Sequence, residues 1–221
     1  MMKTLYIYGS GSTGCEIVDI VRRINSNDMK WNKVLFIDDF REEQEWYGIP
    51  VLNFEAMLCD NSDYECVIAL GEPKHRKKLY QDIKGRNIKL ATIIDPGAVV
   101  STTAIFGEGV IVFPFTFISC NTRIDDNVML EIGVIIGHDI FIGKHSVISS
   151  TSVLGGRVSV GECGFIGLNS TVREDVKIGS SCVVSMGSSV FHNVEDHLVV
   201  MGNPARPILK NENGIIFKNK Q

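Results

Sequence analysis

Residues 130–148 read Leu130-Glu131-Ile132-Gly133-Val134-Ile135-Ile136-Gly137-His138-Asp139-Ile140-Phe141-Ile142-Gly143-Lys144-His145-Ser146-Val147-Ile148. A large apolar residue stands at every sixth position. The register runs back through Ile124, Ile118, Val112, Phe106 and Val100 to Ile94. It runs forward through Leu154, Val160, Ile166, Val172, Ile178 and Val184 to Val190. These are seventeen consecutive hexads without a slip. Four places after the anchor the residue is small or β-branched, as at Ala98, Thr116, Val134, Ser146, Ser152, Gly164, Ser170 and Ser188.

A helix cannot carry this pattern, because six residues are not a whole number of 3.6-residue turns. Gly and Asp are also too frequent for a helix interior. A short flat strand followed by a tight turn fits, with Gly, Asn and Asp supplying the turn. Three hexads close an 18-residue triangular coil, and coils stack at about 4.8 Å. The anchor fills the interior. The spacing therefore predicts nearly six coils of a left-handed parallel β-helix of hexapeptide repeats over residues 91–221. A sandwich would need turns every 8–12 residues or so and period-two alternation.

Residues 1–90 carry no hexad register. Thr4-Leu5-Tyr6-Ile7-Tyr8 reads as a strand running into Gly9-Ser10-Gly11-Ser12-Thr13-Gly14, and Glu16 to Arg23 has helical periodicity. Strands at Val34–Ile37 and Cys66–Leu70 end in Asp38-Asp39 and Gly71, and a helix is expected over Lys74–Lys84. Alternating strands and helices predict an α/β N-terminal domain with a small Rossmann-like parallel sheet. The glycines match G-x-G-x-x-G between strand and helix, where a diphosphate meets backbone N–H groups. Asp38 then stands where it can reach a ribose hydroxyl or a base edge. Taken alone this reads as NAD. Roughly 90 residues, however, supply one mononucleotide half of the doubly wound fold, which suits a single nucleotide better.

The chain has 221 residues, and its net charge of −4 gives no footprint of nucleic-acid binding. It has no run of about 18 apolar residues to insert into a membrane. No secretory signal is visible, so a cytoplasmic protein with reduced thiols is expected. The six cysteines form no CxxC pair, and no metal is expected. Of the five histidines, His75 lies in the basic run Lys74–Lys78, which reads as a solvated helix face. His145, His192 and His197 read as exposed. His138 is third in its hexad, points outward and adjoins Asp139, an arrangement suited to a general base.

The whole resembles the sugar O-/N-acyltransferases of the sialic acid O-acetyltransferase type. That group includes bacterial enzymes that N-acetylate UDP- or dTDP-linked 4-amino-dideoxy sugars. The resemblance covers nearly all of residues 3–209. It rests on Tyr6–Gly14, Phe36-Ile37-Asp38-Asp39, Ala69-Leu70-Gly71, Gly137–Gly143, Gly155-Gly156-Arg157-Val158 and Gly202-Asn203-Pro204-Ala205-Arg206. It implies acetyl-CoA as co-substrate, His138 as base, Asp139 orienting it, and the Gly156 N–H as oxyanion donor. Gly156, Gly167, Leu168 and Gly187 would line the coenzyme groove between the β-helices of a homotrimer. Gly11, Ser12, Thr13, Asp38, Asp39 and Gly71 would hold the nucleotide sugar. The chain departs from the pattern at Val147, where many relatives have a second histidine. It departs again at Glu131, where they have Asn, and at Thr13, where they often have His. Glu131 could strengthen His138 or bind an amine substrate. The expected activity is N-acetylation of a nucleotide-linked amino sugar; the alternatives are O-acetylation of a sialic acid or other sugar, a non-catalytic repeat scaffold, and an NAD enzyme.

Overall fold

A computed structural model describes residues 3–217; residues 1–2 and 218–221, at the ends of the two expected segments, lie outside the described residues. The chain begins with β1 (Thr4–Tyr8), α1 (Ser12–Asn27), β2 (Lys33–Ile37), β3 (Glu45–Trp46), β4 (Ile49–Leu52), α2 (Phe54–Leu58), β5 (Tyr64–Ile68) and α3 (Pro73–Gly85). The strands form one sheet in the order β3-β4-β2-β1-β5, parallel except for the β3–β4 hairpin. Successive side chains of a strand alternate between faces. Leu5 and Ile7 therefore meet Ile17, Val18 and Val21 of α1, while Tyr6 meets Leu79 and Ile83 of α3 on the other face.

Seventeen two-residue strands follow, β6 to β22, from Ile93–Ile94 to Ser189–Val190 at six-residue intervals. The second residue of each is the predicted anchor. Each strand from β6 to β19 pairs in parallel with the strand eighteen residues on, as Met129 with Val147 and Ile136 with Leu154. Three sheets result, the faces of a left-handed prism whose interior is filled by the anchors. The first face ends with β23 (Leu198–Gly202) and β24 (Ala205–Lys210). From Phe115 to Ser181 the fourth hexad position has positive φ, mostly at residues other than glycine. Each such residue costs roughly 1–2 kcal/mol in isolation. The stack offsets this with backbone bonds to the coil before, such as Asp139 N to Cys120 O at 3.0 Å and Arg157 N to His138 O at 2.8 Å.

The three faces differ. The first carries Ile93, Ile111, Met129, Val147, Phe165 and Val183 outward, all buried in one cluster with α1 and β1. The N-terminal layer thus sits on this face. Arg76 fastens it. The basic run is not wholly solvated, because Arg76 is fully buried within it. Its guanidinium donates to Ile68 O, Leu70 O, Asn127 O and Asn127 Oδ1 at 2.7–3.0 Å, so its N–H groups are met by neutral oxygens of both layers.

His145 also departs from its expected exposure; it is buried. Because Asn127 Oδ1 accepts from Arg76, the amide nitrogen must face the imidazole, and it donates to His145 Nδ1 at 3.0 Å. The proton therefore sits on Nε2, 4.0 Å from Glu162 Oε1. The ring stands edge-on to Tyr80. Burial pushes the His145 pKa down to about 4; Glu162 opposes the shift, and Arg76, Lys77 and Lys144 add to it. The unfolded chain, with an ordinary pKa of about 6.5, binds a proton that the fold excludes. Stability from this group is complete above about pH 6.5 and is lost as pH falls toward 4. Over that window the loss should reach about 3 kcal/mol. Urea unfolding at a series of pH values should show it, and His145→Gln should flatten the slope; an unchanged slope in the variant would contradict the assignment.

Candidate functional site

His138 and Gly156 are eighteen residues apart, so the stacking register puts one above the other at the corner between the second and third faces. The fit is close. A Cβ built on Gly156 would lie 2.5 Å from His138 Nε2, so the imidazole occupies the space a side chain there would need. Asp139, in the left-handed corner conformation, turns its carboxylate back onto its neighbour, and Oδ2 lies 2.7 Å from His138 Nδ1. Asn121, one coil earlier, donates to Asp139 Oδ1 at 3.1 Å. The hydrogen bond from His138 is the largest reason the Asp139 carboxyl titrates below its ordinary value. An ionised Asp139 holding Nδ1–H leaves Nε2 as the free basic nitrogen, directed over Gly156. The N–H groups of Gly155 and Arg157 are committed to Val172 O and His138 O, whereas Gly156 N has no protein acceptor among the described residues. The corner combines a half-exposed imidazole, an orienting carboxylate and a free N–H donor.

The remaining residues fall into two sets. Glu131, Gly167, Leu168 and Gly187 stack at the preceding corner, between the first and second faces, with Gly187 N bonded to Leu168 O at 2.8 Å. Glu131, Gly167 and Leu168 line a groove of about 560 Å³ whose walls include Phe165, Met186, Ile208 and Phe217. This corner lies a full prism side from His138, on the order of 15 Å at about 3.3 Å per strand residue. Glu131 is thus not beside the His138 of its own chain. Its Oε2 accepts from Ser150 N and Oγ at 3.0 and 3.1 Å. Val147 is buried beneath the N-terminal layer.

The second set gathers at the carboxyl edge of the N-terminal sheet. Gly9, with φ +104°, makes the turn out of β1, and Gly14 packs against its carbonyl with no room for a Cβ. Gly11 borders open space. It precedes α1 without a side-chain cap, so the first N–H groups at Ser12 and Thr13 are unmatched by a capping side chain. Asp38 Oδ2 accepts from Ser10 N at 3.1 Å and from Ser10 Oγ at 2.5 Å. Arg41 donates to the same hydroxyl. Burial alone would raise the Asp38 pKa; the bonds from Ser10 and Phe40 and the Arg41 charge outweigh it and hold it low. Asp39 accepts from Tyr8 OH and Phe54 N, both at 2.8 Å. Gly71 follows β5 on the same edge, with Phe217 against it. The sequence reading missed Asn121, Tyr8 and Arg41. Asn121 was recoverable, since it lies eighteen residues before Asp139. Among the described residues no cluster of His, Cys, Asp and Glu could hold a metal ion, and no helix is long and apolar enough to cross a membrane.

Prism, corner and glycine loop together define a protein of the hexapeptide β-helix fold with a small α/β layer docked on one face. Comparison with known proteins narrows the class. Residues 4–83 match the PglD N-terminal domain family. The chain is 27% identical over 218 residues to GDP-perosamine N-acetyltransferase of Escherichia coli O157:H7, covering 95% of this chain and 98% of that protein. The acetyltransferase domain of PglB from Neisseria gonorrhoeae, solved with acetyl coenzyme A, has the same fold (24% identity, TM-score 0.88, covering 94% of this chain and all of that one). PerB from Caulobacter crescentus, solved with CoA and GDP-perosamine, superposes with a TM-score of 0.84 at 26% identity, over 93% of this chain and 97% of that one. The chain is thus similar over nearly its whole length to nucleotide-sugar acetyltransferases.

Gly156→Ala tests the corner. The backbone there tolerates alanine, because its φ is not in the left-handed region, but the Cβ must displace the imidazole. Turnover should fall by roughly 100-fold or more while the melting temperature changes by only a few degrees. Full activity in this variant would remove His138 from the reaction.

Proposed function

We propose that the protein transfers the acetyl group of acetyl-CoA to the amino group of a nucleotide-linked amino-dideoxy sugar, with UDP, dTDP and GDP sugars as the candidate carriers. The observation that carries this reading is the His138–Asp139 pair seated over the bare Gly156. The uncharged sugar amine attacks the thioester carbonyl as His138 Nε2 removes its proton, and Asp139 holds the imidazolium that forms. Gly156 N–H stabilises the oxyanion of the tetrahedral adduct. Collapse breaks the carbon–sulfur bond, and the departing thiolate takes the proton from His138. No acyl-enzyme forms.

The apolar groove at Gly167 and Leu168 suits a pantetheine arm, but it lies on a different corner from His138. Two copies of the chain bring the corners together, and we assign the active unit as a homotrimer. The face between these corners supports it: Val99, Phe117 and Ile135 are 44–61% exposed, and Phe115 and Met186 beside them are 77% and 73% exposed. Such a patch is typical of an interface. Gly11, Ser12, Thr13, Asp38, Asp39 and Gly71 form the nucleotide-sugar end. A cytoplasmic location, beside the supply of activated sugars, goes with this reading.

Thiol release from acetyl-CoA tests the reading, with a panel of UDP-, dTDP- and GDP-linked amino sugars beside free sialic acid. One amino sugar should support rapid release, and His138→Ala should slow it by roughly 10²–10⁴-fold. Release with sialic acid alone would establish the O-acetyltransferase instead. Failure to bind acetyl-CoA would overturn the enzyme reading.

A further inference from the structure

On the α3 side of the N-terminal sheet lies a cleft of about 440 Å³, lined by Tyr8, Gly9, Asp38, Phe40, Leu70 and a stripe of α3. The stripe is His75, Lys78, Leu79 and Asp82, which share one helix face by their three- and four-residue spacing. Three features of the cleft have no role in the fold. Phe40 is 95% exposed at its mouth, although its backbone N–H is pinned to Asp38 Oδ1 at 3.1 Å. Leaving so large an apolar ring in water is unfavourable unless something covers it. The Lys78 and Asp82 side chains stand one helical turn apart with opposite charges, yet neither makes an ion pair or hydrogen bond among the described residues. His75 is likewise unpartnered and sits one turn nearer the sheet edge.

We propose that this cleft is the nucleobase subsite and that it selects guanine. The proposal rests on the nucleotide-sugar reading above and deepens it. The ring of Phe40 offers a stacking surface, and every base has a π-face to meet it. Selection must come from the edge. Lys78 and Asp82 are separated along α3 by about 6 Å of rise, at about 1.5 Å per residue. They present one donor and, next to it, two acceptor oxygens. Guanine offers the complement in that order: O6 accepts, while N1–H and the N2 amino group donate side by side. A carboxylate can take both donors at once. Uracil and thymine have a single N3–H flanked by two carbonyls, so the second carboxylate oxygen would face another acceptor. Adenine places an amino group where Lys78 needs an acceptor. An edge mismatch of this kind leaves a polar group unpaired, which discriminates strongly. The base then points along α3, and the diphosphate runs past Gly9 toward the N-terminus of α1, where Gly11 leaves open space.

Calorimetric titration of the full-length protein with GDP, IDP, UDP, dTDP and ADP tests the proposal without any turnover. GDP should bind tightest, with UDP and dTDP weaker by about 10–100-fold. IDP, which lacks only the N2 amino group, should be weaker than GDP by about tenfold. Asp82→Asn lies on an exposed helix face and should fold normally; it should erase the difference between GDP and IDP. Phe40→Ala should weaken all five nucleotides together. If UDP or dTDP binds as tightly as GDP, and Asp82→Asn changes nothing, the guanine subsite is wrong while the nucleotide-sugar reading stands. If none of the five binds, the nucleotide-sugar reading fails with it.

Discussion

Everything in the β-helix follows from one constraint, that residue i stacks on residue i + 18. Parallel pairing between two-residue strands fixes the step, and the buried anchors fix the rotation, because a slip of one residue would turn every anchor outward. The same register holds otherwise strained corners in the left-handed conformation. It also builds the site. His138 lies over Gly156, and Asn121 reaches Asp139, without any long-range coincidence in the sequence. A catalytic constellation on such a scaffold is set by columns of the stack. Its precision is that of the sheet ladder itself rather than that of a loop.

The prism has three faces that are similar in sequence and differ in their surroundings. One is covered by the N-terminal layer, whose attachment centres on a fully buried guanidinium bonded to neutral oxygens of both parts. Because Arg76 grips the carbonyls of Ile68 and Leu70 on one side and Asn127 on the other, it ties the end of β5 to a fixed coil. The sheet edge that carries Gly71 is thereby set relative to the corners. A second face keeps an exposed apolar row between the two corners that carry the candidate groups. The reading of the chain as a trimeric enzyme joins these facts: of the two faces the N-terminal layer leaves uncovered, the one with the apolar row must meet another copy for the two corners to meet.

Much of this was legible in the sequence for a physical reason. A period of six has no competing secondary structure, so the inward anchor of each of the seventeen strands is legible to the residue. The strand–glycine–helix opening was also readable, because Gly9 and Gly14 are required sterically. What escaped was tertiary. Arg76 and His145 sit in polar runs that look solvated, and only the docking of α3 on the third corner buries them. The β3–β4 hairpin and α2 are short and carry no sustained periodicity. Glu131 is seven residues from His138 along the chain, which suggests proximity. The intervening strand, however, carries it to another edge of the prism.

The most direct test of the account is complementation between two inactive chains. One carries His138→Ala. The other carries Leu168→Glu with Ile208→Glu, which spoils the groove on the preceding corner and leaves His138 intact. Each alone should assemble and be inactive. Random mixed trimers, formed by co-expression, place an intact His138 corner against an intact groove at about a quarter of their interfaces. The account predicts recovery of about that fraction of wild-type thiol release. Mixed trimers that remain as inactive as the separate variants would show that the site is not shared between chains, and would contradict it.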